Sequence, residues 1–167
     1  MPLATPLLLL CTVIAVQDGD SLRVRCPAAT DAAPAVVRSV RIHAIDAPEH
    51  GQSFGSRARQ ALRQAVDHRA VQLACVDTDA YARQVCKVST APGPGQPAED
   101  VGLAQVRSGL AWWYRRYAGA QTPADRARYA QAEEDARRER RGLWREASRA
   151  VPPWQWRRSH PPVHGPR

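Results

Sequence analysis

Residues 13–26 read VIAVQDGDSLRVRC, with apolar and polar positions alternating on either side of Asp18-Gly19. That is the pattern of a β-hairpin whose one face meets a core. The run before it, PLLLLCTVIAV (6–16), stops at Gln17 and falls short of the ~20 apolar residues that cross a bilayer. It also lacks the positively charged start of a secretory signal, so most of it is expected to be a first strand. No membrane partner is expected.

Strands follow from the same pattern at about 10–17, 20–26, 36–45, 70–76 and 83–90. Turn signals fall at Asp18-Gly19, across Cys26 to Pro34 and around Asp79 to Ala82. Between the third and fourth strands, SFGSRARQALRQAVDH (53–68) places Phe54, Ala58, Ala61, Leu62 and Ala65 on one helical face. A second helix is expected from near Asp100. A third carries Thr122 as N-cap, Pro123 at N1 and Asp125 at N3, buries a seam of Tyr129, Ala132 and Ala136, and ends before Gly142. Strands first, one helix inserted and helices at the end predict an α+β fold, a five-stranded OB-type β-barrel with three helices. The expected organisation is an N-terminal extension over 1–9, one domain over 10–146 and a Trp/Pro/Arg-rich tail over 147–167. In the tail, Trp154 and Trp156 could fold back on the domain.

The four cysteines carry a second pattern. Cys11 and Cys26 lie symmetrically about Asp18-Gly19, as do Cys75 and Cys86 about Ala80-Tyr81. Opposed positions in a hairpin have Cβ atoms roughly 4.5–5.5 Å apart, near disulfide reach. Of the three possible connectivities, Cys11–Cys26 with Cys75–Cys86 is favoured over four separate thiols. Such pairing points to a secreted or periplasmic protein.

The chain holds 24 Lys and Arg against 16 Asp and Glu, a formal charge of +8, and all but one of its bases are arginine. This suits a polyanionic partner, or else a solvated arginine-rich surface. Charges also gather where a strand should turn, in VRIHAIDAPEHGQ (40–52), which brings Arg41, Asp46 and Glu49 together. VQDGDSLRVRC adds Asp18 and Asp20, and DTDAYARQVC adds Arg83. Taken singly, these are turn formers and surface ion pairs. Trp112, Trp113, Tyr114 and Tyr117 offer either core packing or a base-stacking platform, and Tyr114 and Tyr117 are the two assigned to substrate.

Taken together in order and spacing, DGDSL (18–22), VRIHAIDAPEHG (40–51), DAYAR (79–83), LAQVRSGLAWWY (103–114) and AEEDARRERRGLW (132–144) resemble the staphylococcal nuclease-like, or thermonuclease, family over about residues 11–145. The resemblance implies a calcium-dependent phosphodiesterase acting on DNA and RNA, preferring single strands, leaving 3′-phosphate ends and working as a monomer. It assigns Asp20, Asp46 and the backbone carbonyl of Ala47 to Ca²⁺, Glu49 to the general base, Arg41 and Arg83 to the phosphate, and Tyr81 to the nucleotide. Asp18 either supports these ligands from behind or only forms the turn. Ala82 stands where the family usually has glycine, which raises the question of whether the loop presenting Arg83 needs a positive φ. The alternatives are a non-catalytic nucleic-acid-binding module of the same fold and an interaction protein built on the Trp-rich C-terminal segment.

Overall fold

The alternation about Asp18-Gly19 becomes a hairpin of β1 (Leu9–Val16) and β2 (Ser21–Cys26). The computed structural model describes residues 8–28, 30 and 33–161, so most of the expected N-terminal extension and the last residues of the tail lie outside it. β3 (Val36–Ile42), β5 (Ala70–Thr78) and β6 (Gln84–Thr90) complete a closed barrel in the order β1-β2-β3-β6-β5. Only β3 and β6 run parallel. Inward side chains such as Val13, Leu22, Val24, Val40, Val71, Leu73 and Val88 are fully buried, which gives the alternating faces their energetic reason.

The expected third strand, 36–45, is divided. β3 stops at Ile42, Ala44 takes a left-handed φ of 64°, and β4 (Ile45–Asp46) leaves the barrel to pair with β7 (Trp112–Trp113). The bend carries Asp46 back towards Arg41.

Both disulfides join the expected cysteines, Cys11 to Cys26 and Cys75 to Cys86. The hairpin symmetry behind them is less simple than the sequence suggests. Next to the turns, Val16 pairs with Leu22 and Thr78 with Gln84, centred on Gly19 and on Tyr81. Bulges at Ile14 and Val76 then shift each register by one residue and bring the cysteines opposite one another.

The helices α1 (Gly55–Val66), α2 (Val101–Arg107) and α3 (Pro123–Arg138) cover the barrel. α1 buries Ala58, Leu62 and Val66. Thr122 caps α3 by accepting from the Asp125 amide at 3.1 Å, and Tyr129, Ala132 and Ala136 form the buried seam. α3 ends earlier than Gly142: Arg140, at φ 53°, takes the left-handed position, while the Arg141 amide bonds the Ala136 carbonyl at 2.9 Å. Gly142 lies two residues beyond Arg140, where it too is left-handed at φ 50° and where a Cβ would collide with the Gly109 carbonyl. The single lysine, Lys87 on β6, reaches Asp125 of α3 at 2.7 Å and Asp100, the N-cap of α2, at 3.5 Å. A fourth, short helix, α4 (Pro153–Ser159), adds to the three expected. Among the described residues, no helix is long and apolar enough to cross a membrane.

The disulfides close loops of 15 and 11 residues of sequence separation, so replacing either pair by alanines should lower unfolding free energy by about 3 kcal/mol in urea titrations. Ala82 stands at φ 60°. A left-handed alanine costs about 1–2 kcal/mol, and glycine returns about 0.4–1 through the unfolded chain. Ala82→Gly should therefore stabilise the protein by up to about 1.6 kcal/mol in the same assay.

Candidate active site

The β1–β2 turn is pulled tightly into the barrel mouth. A Cβ on Gly19 would stand 2.6 Å from that of Ala58 and 2.7 Å from that of Ala47, so only glycine fits. The buried amide of Gln105 fastens the turn by donating to the Gly19 carbonyl at 2.8 Å and the Ala58 carbonyl at 3.0 Å. This fixes Asp18 and Asp20 against the chain that follows β4. Asp20 Oδ2 accepts the Ala47 amide at 2.8 Å, and Oδ1 accepts the Ser21 hydroxyl at 3.0 Å. The Ala47 amide is thus what ties this part of the chain to Asp20. Asp18 accepts the Asp20 amide at 3.1 Å; burial, and then the charge of Asp20, push its carboxyl up to about 6.

Arg41 stands between the two carboxylates on which the sequence reading centres. Its guanidinium lies 3.5 Å from Asp20 and 3.3 Å from Asp46, and donates to the Ile45 carbonyl at 3.0 Å. Burial opposes its charge, but Asp20 and Asp46 more than compensate and raise its pKa. Asp46 is only 1% exposed, and burial raises its pKa against the opposing pull of Arg157 and Arg41.

Arg83 reaches the same cleft from the β5–β6 turn. Asp79 organises that turn by accepting the amides of Tyr81 at 2.9 Å and Arg83 at 3.0 Å, and by holding the Arg83 Nε at 2.8 Å. Although partial burial works the other way, these bonds hold the Asp79 carboxyl below its ordinary range. The Arg83 guanidinium lies 5.5 Å from the Tyr81 ring, which is 82% exposed. The left-handed Ala82 is thus accommodated within a turn whose Asp79, Tyr81, Ala82 and Arg83 amides are all hydrogen-bonded.

Glu49, Tyr114 and Tyr117 complete the wall of a cleft of about 590 Å³ that also takes in every other site residue named from sequence. Tyr114 and Tyr117 meet edge-on at 5.2 Å. Two further residues were not singled out in the sequence. Asp79 opens the turn expected over Asp79 to Ala82, and its place four residues before Arg83 could also have marked it as that arginine's partner. Arg157, from α4, forks Asp46 at 3.1 and 2.8 Å and contacts Glu49 at 2.6 Å; no local pattern points there.

Five carboxylates and three arginines line the cleft, an excess of negative charge inside a chain of net charge +8. Asp20 and Asp46 converge on one guanidinium, so they can also converge on one hard cation. Among the described residues, no group of three or more Asp, Glu, His or Cys side chains is arranged for a metal. Any cation held between Asp20 and Asp46 would have to complete its shell with carbonyl, water or substrate oxygens, which hard divalent cations accept.

Residues 39–146 match the family described as staphylococcal nuclease homologue. The chain is 38% identical over 150 residues to a protein named micrococcal nuclease from Shigella flexneri, covering 88% of this chain and 79% of that one. It is 41% identical over 150 residues to Protein ParB of Escherichia coli, covering 87% and 77%. An uncharacterized endonuclease of Haemophilus influenzae is 32% identical over 148 residues, covering 89% and 72%. With its closed five-stranded barrel, its helices and these matches, the chain belongs to the staphylococcal nuclease-like family.

Proposed function

We propose that this chain is a Ca²⁺-dependent nuclease that hydrolyses phosphodiester bonds of DNA and RNA, prefers single strands and leaves 3′-phosphate ends. The observation that carries the reading is the convergence of Arg41 and Arg83 with Asp20, Asp46 and Glu49 in one cleft, from three separate stretches of sequence. The similarity to a protein named micrococcal nuclease supports it.

In this reading Asp20, Asp46 and the Ala47 carbonyl hold Ca²⁺, which when bound supplies Lewis-acid charge to the phosphate. Glu49 would accept the proton of the attacking water as its oxygen bonds to phosphorus and the bond to the 5′ oxygen breaks, that oxygen leaving as a hydroxyl protonated from solvent. Arg41 and Arg83 hold the equatorial oxygens as negative charge builds on them, and one such preorganised donor is worth about 2.7–4 kcal/mol. Asp79 keeps Arg83 aimed, and Asp18 keeps Asp20 in place. Tyr81 and Tyr117 offer ring faces for unpaired bases, and Tyr114 one on the side that Trp154 leaves uncovered, which favours single strands. Two disulfides support an exported protein working in an oxidising compartment.

Purified protein should degrade denatured DNA and RNA in Ca²⁺, stop in chelator and work poorly in Mg²⁺, with end-labelled products carrying 3′-phosphate. Arg83→Ala and Glu49→Gln should each lower turnover by about 100-fold or more. Oligonucleotide binding in chelator should fall with salt at about −0.7 in log–log slope per neutralised phosphate, and Arg83→Ala should flatten that slope. Binding without Ca²⁺-dependent cleavage above the Glu49→Gln background would leave a nucleic-acid-binding module instead.

A further inference from the structure

The C-terminal segment does not trail away from the barrel. The Gln52 side chain donates to the Val151 carbonyl at 2.6 Å, Pro153 is buried, and α4 follows. Trp154 lies nearly parallel to Tyr114, with centroids 5.3 Å apart and planes at 26°, and meets Trp112 edge-on at 5.6 Å. One turn later, on the same face of the helix, Arg157 enters the cleft. Its two terminal nitrogens take both oxygens of Asp46, at 3.1 and 2.8 Å, and one of them also holds Glu49 at 2.6 Å.

We propose that α4 is a latch over the nuclease site: Arg157 takes up Asp46 and Glu49, and a divalent cation together with a nucleic-acid phosphate must displace it before cleavage. The inference rests on the nuclease reading above. A guanidinium that covers both oxygens of Asp46 occupies lone pairs the cation needs, and its own charge repels that cation. Arg157 also holds one Glu49 oxygen, so the carboxylate is not free to turn as a whole towards a water until that contact is released.

The contact is also built to exchange. The Arg157 side chain is 43% exposed, so water and salt compete for its bonds. A phosphate offers the same fork a doubly bonded alternative. Trp154, stacked on Tyr114 beside the cleft, keeps the displaced helix close enough to return.

The test is calorimetric Ca²⁺ titration of the full chain without nucleic acid, comparing wild type with Arg157→Ala, Arg157→Gln and Trp154→Ala. Both Arg157 variants should bind Ca²⁺ about tenfold tighter or more, and Trp154→Ala should shift affinity in the same direction by loosening α4 without altering the charges of the site. In wild type, Ca²⁺ with a phosphorothioate oligothymidine should speed amide exchange across residues 153–159. Equal or weaker Ca²⁺ binding by the Arg157 variants, with exchange in α4 unchanged, would overturn the latch while leaving the metal site intact. No Ca²⁺ binding by any of these proteins would overturn the metal reading and the latch with it.

Discussion

A guanidinium buried at the open end of a β-barrel is the constraint around which this protein is arranged. Arg41 is 9% exposed near the end of β3, where an unpaired charge would be strongly destabilising. It is tolerated because Asp20 and Asp46 flank it and the Ile45 carbonyl accepts from it. Both carboxylates must therefore reach one point from different parts of the chain. The left-handed Ala44 and the short β4 turn Asp46 back to Arg41, while the tucked Gly19 turn brings Asp20 from the other side.

The same cluster sets what the cleft can do. A buried arginine between two carboxylates is fixed in position, so it needs no reorganisation when charge develops on a ligand. Arg83 is fixed in a different way, by Asp79 within its own turn, and so remains on the exposed side of the site. The remaining carboxylates leave the pocket negative within a basic protein. That contrast suits a site that takes a cation and a phosphate together, on a surface that draws polyanions from a distance.

Much of this was legible in the sequence because the determining signals are local. Alternation marked the hairpins, and Thr122-Pro123 marked the start of α3. The cysteine pairing was legible for a subtler reason: bulges at Ile14 and Val76 compensate turns centred on Gly19 and Tyr81, so simple symmetry reached the right pairs through two offsetting irregularities. The glycine expected at position 82 by resemblance is explained by the φ of 60° that Ala82 adopts. What stayed hidden depends on distant partners. Arg157 meets Asp46 across a sequence separation of 111 residues, and although the tryptophans before it could be expected to fold back, as Trp154 does on Tyr114, nothing local shows that the arginine following them enters the cleft. Glu133 was concealed likewise: it sits among the solvated charges of α3, yet it is buried because the Trp113 amide and Arg115 need its carboxylate.

The most direct test of this account is a crystal structure of the wild-type chain with Ca²⁺ and a non-cleavable thymidine dinucleotide. The account predicts a cation coordinated by Asp20 and Asp46, with a phosphate within hydrogen-bonding distance of both Arg41 and Arg83. A phosphate seated elsewhere on the basic surface, with Asp20 and Asp46 still paired only to arginine, would contradict it.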